Sequence, residues 1–152
     1  MKKLKIILIL TFLLNASCGY KPIYLKNNEI ILEFDKIIFV GDSKINRKII
    51  NIIGIKKNDT KDNLNELIIK TDYNEEETSK NSKGQVETYR SIINIQLTIK
   101  DGEKIIKSKN FLNEFSYNNK DNKFELTQYQ NEIKNNLINK SSEEIILFLN
   151  LS

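Results

Sequence analysis

The chain has 152 residues, with 24 lysines and arginines against 20 acids, one cysteine and no histidine. The lack of histidine removes the usual general base near neutral pH and the commonest metal ligand, and it excludes a zinc site of Cys and His. One cysteine excludes an internal disulfide, and a nearly balanced charge gives no bulk attraction to nucleic acid.

Residues 1–17 have the pattern of a secretory signal. Lys2, Lys3 and Lys5 form a positive start, Ile6 to Leu14 is a short apolar run, and Asn15-Ala16-Ser17 leads into Cys18. At ~1.5 Å per residue that run spans about 14 Å, half of a ~30 Å hydrocarbon core, so an uncleaved transmembrane helix is the poorer reading. Cys18 directly behind the cleavage point resembles a bacterial lipobox, in which the thiol is acylated and becomes the new N-terminus. The alternative is an ordinary small buried cysteine. Removal of the signal leaves 135 residues, enough for one core, and loses three lysines, so the formal charge drops from +4 to about +1. The remaining basic residues are lysines except Arg47 and Arg90.

Residues 18–29 read as an extended tether, because Pro22 biases Lys21 away from helix. A single domain is expected over 30–152. Ile30 to Val40 is strand-like and ends at Gly41-Asp42-Ser43. A short helix follows, capped by Asp42 or Ser43, with Ile45, Ile49, Ile52 and Ile53 on one face and Gly54 as its stop. Lys57 to Asn63 is turn-like. Leu64 to Tyr73 predicts a second strand with Leu67, Ile69, Thr71 and Tyr73 on one side, and Glu75 to Gln85 reads as a strand end plus hairpin loop.

Val86 to Lys100 alternates most cleanly: Ile93, Ile95, Leu97 and Ile99 on one face, Asn94, Gln96, Thr98 and Lys100 on the other. Asp101-Gly102 is a hairpin turn. Glu103 to Tyr117 predicts a fourth strand whose alternation is untidy after Lys109, as a bulge would make it. After a loop at Asn118 to Lys123, the period becomes helical from Phe124 to Leu149, through Leu126, Tyr129, Ile133, Leu137, Glu144 or Ile145, and Phe148. Ser141-Ser142 interrupts that stripe and reads as a kink or a second cap. The order β-α-β-β-β-α predicts an α+β two-layer sandwich, a four-stranded sheet with both helices on one face and a polar opposite face containing Asn94, Gln96 and Thr98.

No catalytic constellation stands out, and the expectation is a protein without enzymatic activity. Glu75-Glu76-Glu77 is the only dense acidic run, readable as a solvated face or as a carboxylate site. Ser141 and Ser142 lack an imidazole partner. Lys80, Lys83 and Arg90, near the long hairpin, are candidates for contact with a partner or with anionic lipid phosphates; the bland reading is a solvated hairpin tip with scattered charges.

The start of the mature chain, Cys18-Gly19-Tyr20-Lys21-Pro22-Ile23-Tyr24, is similar to the Cys-Gly-Phe-x-Pro-Leu-Tyr start of alphaproteobacterial LPS-assembly lipoproteins of the LptE family. Thr88-Tyr89-Arg90 before a long alternating strand, then Asp101-Gly102, Ser116-Tyr117-Asn118 and a closing amphipathic helix follow that family's layout over nearly the whole chain. The resemblance implies two helices on a four-stranded sheet. It implies a lipoprotein at the periplasmic face of the outer membrane, anchored by a diacylglycerol and an N-acyl chain on Cys18, with no other cofactor. Its implied partners are an LptD-type β-barrel, which it plugs and helps assemble, and lipopolysaccharide, whose insertion into the outer leaflet it assists. Arg90 is carried over as a possible glycolipid contact. A generic cell-envelope lipoprotein binding a small ligand or a protein is the alternative.

Overall fold

The computed structural model describes residues 33–58 and 65–150. The signal, the tether, Cys18 and the chain from Asp59 to Leu64 lie outside the described residues. Chain order is β1 (Glu33–Phe34), β2 (Lys36–Gly41), α1 (Ser43–Ile53), β3 (Lys56–Lys57), β4 (Asn65–Lys80), β5 (Val86–Asp101), β6 (Lys104–Asn118) and α2 (Lys123–Asn150). The main sheet runs β2-β4-β5-β6, with β2 parallel to β4 and the other pairs antiparallel. The parallel pair requires a crossover, and α1 supplies it. Both helices pack on one face, giving the expected two-layer α+β sandwich.

The first strand differs from expectation. It breaks at Asp35, whose N–H donates to the Asn65 carbonyl at 3.1 Å, and β1 pairs instead with β3 in a small parallel sheet. That pairing places Lys56 and Lys57 in a strand, although Lys57 was the first residue of the expected turn.

α1 starts where the capping chemistry is best. Asp42 Oδ1 accepts from the N–H groups of Lys44 at 2.9 Å and Ile45 at 3.1 Å. It stops at Gly54, with φ 78° and an N–H donated to the Ile50 carbonyl at 3.0 Å. The buried residues are Ile45, Asn46, Ile49 and Ile50, whereas Ile52 is exposed and Ile53 only half-buried. The core stripe therefore keeps Ile45 and Ile49 but is turned toward Asn46 and Ile50, away from Ile52. Asn46 takes the core place because its amide donates to the Val40 carbonyl at 2.9 Å and its oxygen accepts from the Thr71 hydroxyl.

The sheet core holds the predicted stripes, Leu67, Ile69 and Thr71 on β4 and Ile93, Ile95 and Leu97 on β5, with Tyr73 and Ile99 half-buried at its margin. Two readings are corrected here. β4 continues through Glu75 to Lys80, paired with β5 as far as Val86, so the hairpin loop is only residues 81–85. Cross-strand pairing overrides the poor strand propensity of that acidic run. Register shifts lie near Ser79 and between Ile99 and Lys100, opposite Ile105 to Lys107; β6 runs in register after Lys109, where a bulge was expected.

α2 is one continuous helix, not interrupted at Ser141-Ser142. Both serines are fully buried; Ser142 Oγ donates to the Ile138 carbonyl at 2.8 Å, and Asn113 Nδ2 donates to Ser141 Oγ at 3.0 Å. Their small side chains stand where the helix crosses the sheet at Asn113. α2 runs antiparallel to β6, with Phe148 edge-to-face on Phe111 at 5.7 Å and Tyr129 edge-to-face on Tyr117 at 5.7 Å.

Candidate functional site

The predicted contact residues lie along one end of the β4–β5 hairpin and are not gathered into a cluster. Lys80 closes β4 and pairs with Glu77 at 2.9 Å; that carboxylate raises the ammonium's pKa from its ordinary value. Lys83 sits in the turn, its backbone N–H donated to Asn81 Oδ1 at 2.9 Å. Arg90 lies four residues inside β5, about 13 Å from Val86 at ~3.3 Å per residue. It stands between Glu76 and Ser116 in the ladder, with Nη1 3.6 Å from the Glu114 carboxylate. Among the described residues its buried Nε has no hydrogen-bond partner. Two of the three basic groups are thus already engaged by carboxylates, and they form no single phosphate cradle. Cys18 lies outside the described residues.

The acidic run does not form a carboxylate site either. Strand geometry turns successive side chains to opposite faces. Glu75 accepts from the Tyr73 hydroxyl at 2.7 Å, Glu76 from Asn74 Nδ2 at 3.2 Å, and Glu77 pairs with Lys80. Tyr73 Oη also lies 3.2 Å from Ser91 Oγ, and burial pushes its phenol well above the usual tyrosine range. Among the described residues no group of three or more acidic, cysteine or histidine side chains could hold a metal ion.

The sheet face opposite the helices is more mixed than expected. Asn94 and Gln96 are exposed, and Thr98 hydrogen-bonds Ser108 at 3.0 Å. Apolar residues on the outer strands of this face also meet solvent: Val40 on β2 is 41% exposed and Leu112 on β6 is 61% exposed.

Two concave features were missed from sequence. A polar cleft of about 690 Å³ lies between the loop end of the β4–β5 hairpin and the start of α2, lined by Asn81, Gln85, Tyr89, Asn118 and Lys120 among others. A smaller groove of about 220 Å³ runs between β6 and α2, with Phe115, Tyr129, Ile133 and Leu137 as its apolar lining. The untidy alternation of β6 was the available signal for the groove: Phe115 is on the core face yet 48% exposed.

No protein-family model and no curated protein matches this sequence. Solved structures do match in three dimensions. Rare lipoprotein B from Shewanella oneidensis superposes with a TM-score of 0.57 at 10% identity, covering 75% of this chain and 92% of that one. A lipoprotein B from Nitrosomonas europaea gives 0.57 at 11% identity, over 76% of this chain and 81% of that one. A minor lipoprotein from Acinetobacter baumannii gives 0.51 at 13% identity, over 76% and 90%. At such identities the likeness is one of fold: this chain shares the α+β sandwich of these bacterial lipoproteins.

Proposed function

We propose that this protein is a non-catalytic lipoprotein of the LptE type, acylated on Cys18 and held at the periplasmic face of the outer membrane. There it seats in the lumen of an LptD-type β-barrel and assists lipopolysaccharide insertion. The observation that carries this reading is the sheet face left uncovered by both helices, whose Asn94, Gln96, Thr98 and Ser108 offer hydrogen-bonding groups along the long β5–β6 pair. A barrel interior is polar, so a wedge with a polar broad face fits it. Acyl chains contribute roughly 0.8 kcal/mol per buried CH₂, and more than one chain gives stable anchoring. The fold shared with bacterial lipoproteins supports the same reading. Among the described residues no helix is long and apolar enough to cross a membrane. Lys80, Lys83 and Arg90 would then meet glycolipid phosphates at the hairpin end.

The test is affinity purification of the tagged full chain from detergent-solubilised envelopes. A stoichiometric large outer-membrane barrel is the expected companion; its absence in several mild detergents contradicts the reading. The polar cleft at the loop end of the hairpin favours one rival, an envelope lipoprotein that binds a small polar ligand there. That rival predicts ligand binding that Tyr89→Ala weakens, with no barrel recovered.

A further inference from the structure

β6 is the open edge of the main sheet, since no strand among the described residues pairs with its outer side. Asn119 N–H donates to the Glu87 carbonyl at 2.7 Å, which fixes the phase of the ladder. Counting back in the unbroken register, Tyr117, Phe115, Asn113 and Phe111 bond to β5, so Ser116, Glu114, Leu112 and Asn110 turn their N–H and C=O groups outward.

The lysines and the irregularity of this edge are confined to its first half, and the second half carries one charge, Glu114, which stands 3.6 Å from Arg90. In the first half the strand carries Lys104, Lys107 and Lys109 and an irregularity near Ile105 to Lys107, and the Lys107 ammonium donates to the Phe148 carbonyl of α2 at 2.7 Å. Lysines and bulges are the usual devices against edge pairing. From Asn110 to Asn118 the strand has no lysine, proline or bulge. The apolar groove lies beside that unprotected half, between the edge strand and α2.

The groove has a charge order. Glu132 stands at the end where Tyr117 meets Tyr129, and Lys140 at the end where Asn113 meets Ser141. Eight helical residues separate them, about 12 Å at 1.5 Å each, which matches about four residues of strand at ~3.3 Å. A strand antiparallel to β6 runs in the same direction as α2. Its residues i, i+2 and i+4 share one face, so a basic side chain at i reaches Glu132, an apolar one at i+2 enters between Phe115, Ile133 and Leu137, and an acidic one at i+4 reaches Lys140.

We propose that the second half of β6 and the adjoining α2 groove accept an extended segment of a partner protein by strand addition, antiparallel to β6, with the pattern basic-x-apolar-x-acidic. Main-chain hydrogen bonds supply affinity in this mode, and the pockets supply selection. The inference rests on the edge and the groove, and it holds whether or not the protein seats in a barrel.

The test uses the full chain in detergent micelles and the capped peptide Thr-Lys-Thr-Leu-Thr-Glu-Thr, labelled for fluorescence anisotropy. Saturable binding is expected, at least tenfold weaker for the peptide with Lys and Glu exchanged and at least tenfold weaker for Ser116→Pro, which deletes an outward N–H and no ladder bond. Wild-type amide exchange provides the readout independent of any variant's folding: bound peptide should slow Leu112, Glu114 and Ser116 selectively. Equal binding of the two peptides, protection away from β6, or no binding at millimolar peptide overturns the proposal. So does a self-association that Ser116→Pro abolishes, which would make a second copy of this chain the occupant.

Discussion

Single side chains set the fold's margins. Tyr73 donates to Glu75 and touches Ser91 Oγ from a half-buried position, and burial raises its pKa above the ordinary 10.0. A folded-state pKa above the unfolded one means stabilisation complete below pH 10 and lost as pH rises further toward the folded value. Tyr73→Phe should therefore cost about 1 kcal/mol near neutral pH through the lost hydrogen bonds, yet lose less stability between pH 10 and 11.5 than the wild type does. Parallel alkaline melting curves for the two proteins would contradict this. Arg90 gives a second residue-scale expectation. Its buried Nε has no partner among the described residues, so Arg90→Met should leave the melting temperature nearly unchanged while weakening binding to lipopolysaccharide vesicles severalfold. A large stability loss with unchanged vesicle binding would make the residue structural.

At the scale of elements, the β2–α1 junction and the β5 stripe carry the sharpest expectations. Gly41 has φ 79°, and a Cβ there would lie 2.0 Å from the Thr71 carbonyl oxygen, a backbone atom that cannot swing aside. Gly41→Ala should cost about 3 kcal/mol or more, against ~1–2 kcal/mol for Gly54→Ala, where a Cβ meets nothing within 4 Å and only the left-handed backbone is penalised. Equal losses in urea titrations would refute that ranking. Ile95, fully buried, should not tolerate Asp: Ile95→Asp places an unpaired charge in the core and should cost several kcal/mol, on the order of 3–5. A melting temperature that barely moves would invert the assigned inner face.

These elements also show what could be read in advance. The alternation from Ile93 to Ile99, a helix cap at Asp42 or Ser43 and the Gly54 stop are local signals, and local physics sufficed to find them. The length of β4 was not legible, because Glu75 to Glu77 become strand only through pairing with Tyr89 to Ser91, which are distant in sequence. Ser141 and Ser142 look like a break in a helical stripe until Asn113 is seen beneath them. The groove was illegible for the same reason: it exists only where β6 and α2 meet. The scattered placement of Lys80, Lys83 and Arg90 likewise follows from β4 running further than its composition suggests.

For the whole molecule, the proposed work joins a wedge to a tether. The sandwich offers a broad, partly polar face and an open edge, and neither needs bond-making chemistry. Cys18→Ser should leave the domain's melting curve intact and shift the protein from the membrane pellet to the soluble fraction or to an uncleaved precursor. Unchanged fractionation would mean that something other than acyl chains holds it.

The claim on which this account turns is that the working protein begins at an acylated Cys18. Intact-mass spectrometry of the chain purified from native membranes measures it directly. The account predicts a polypeptide lacking residues 1–17 and heavier than the bare chain by a diacylglycerol and one further acyl group. A full-length leader, or an unmodified thiol at Cys18, would contradict it.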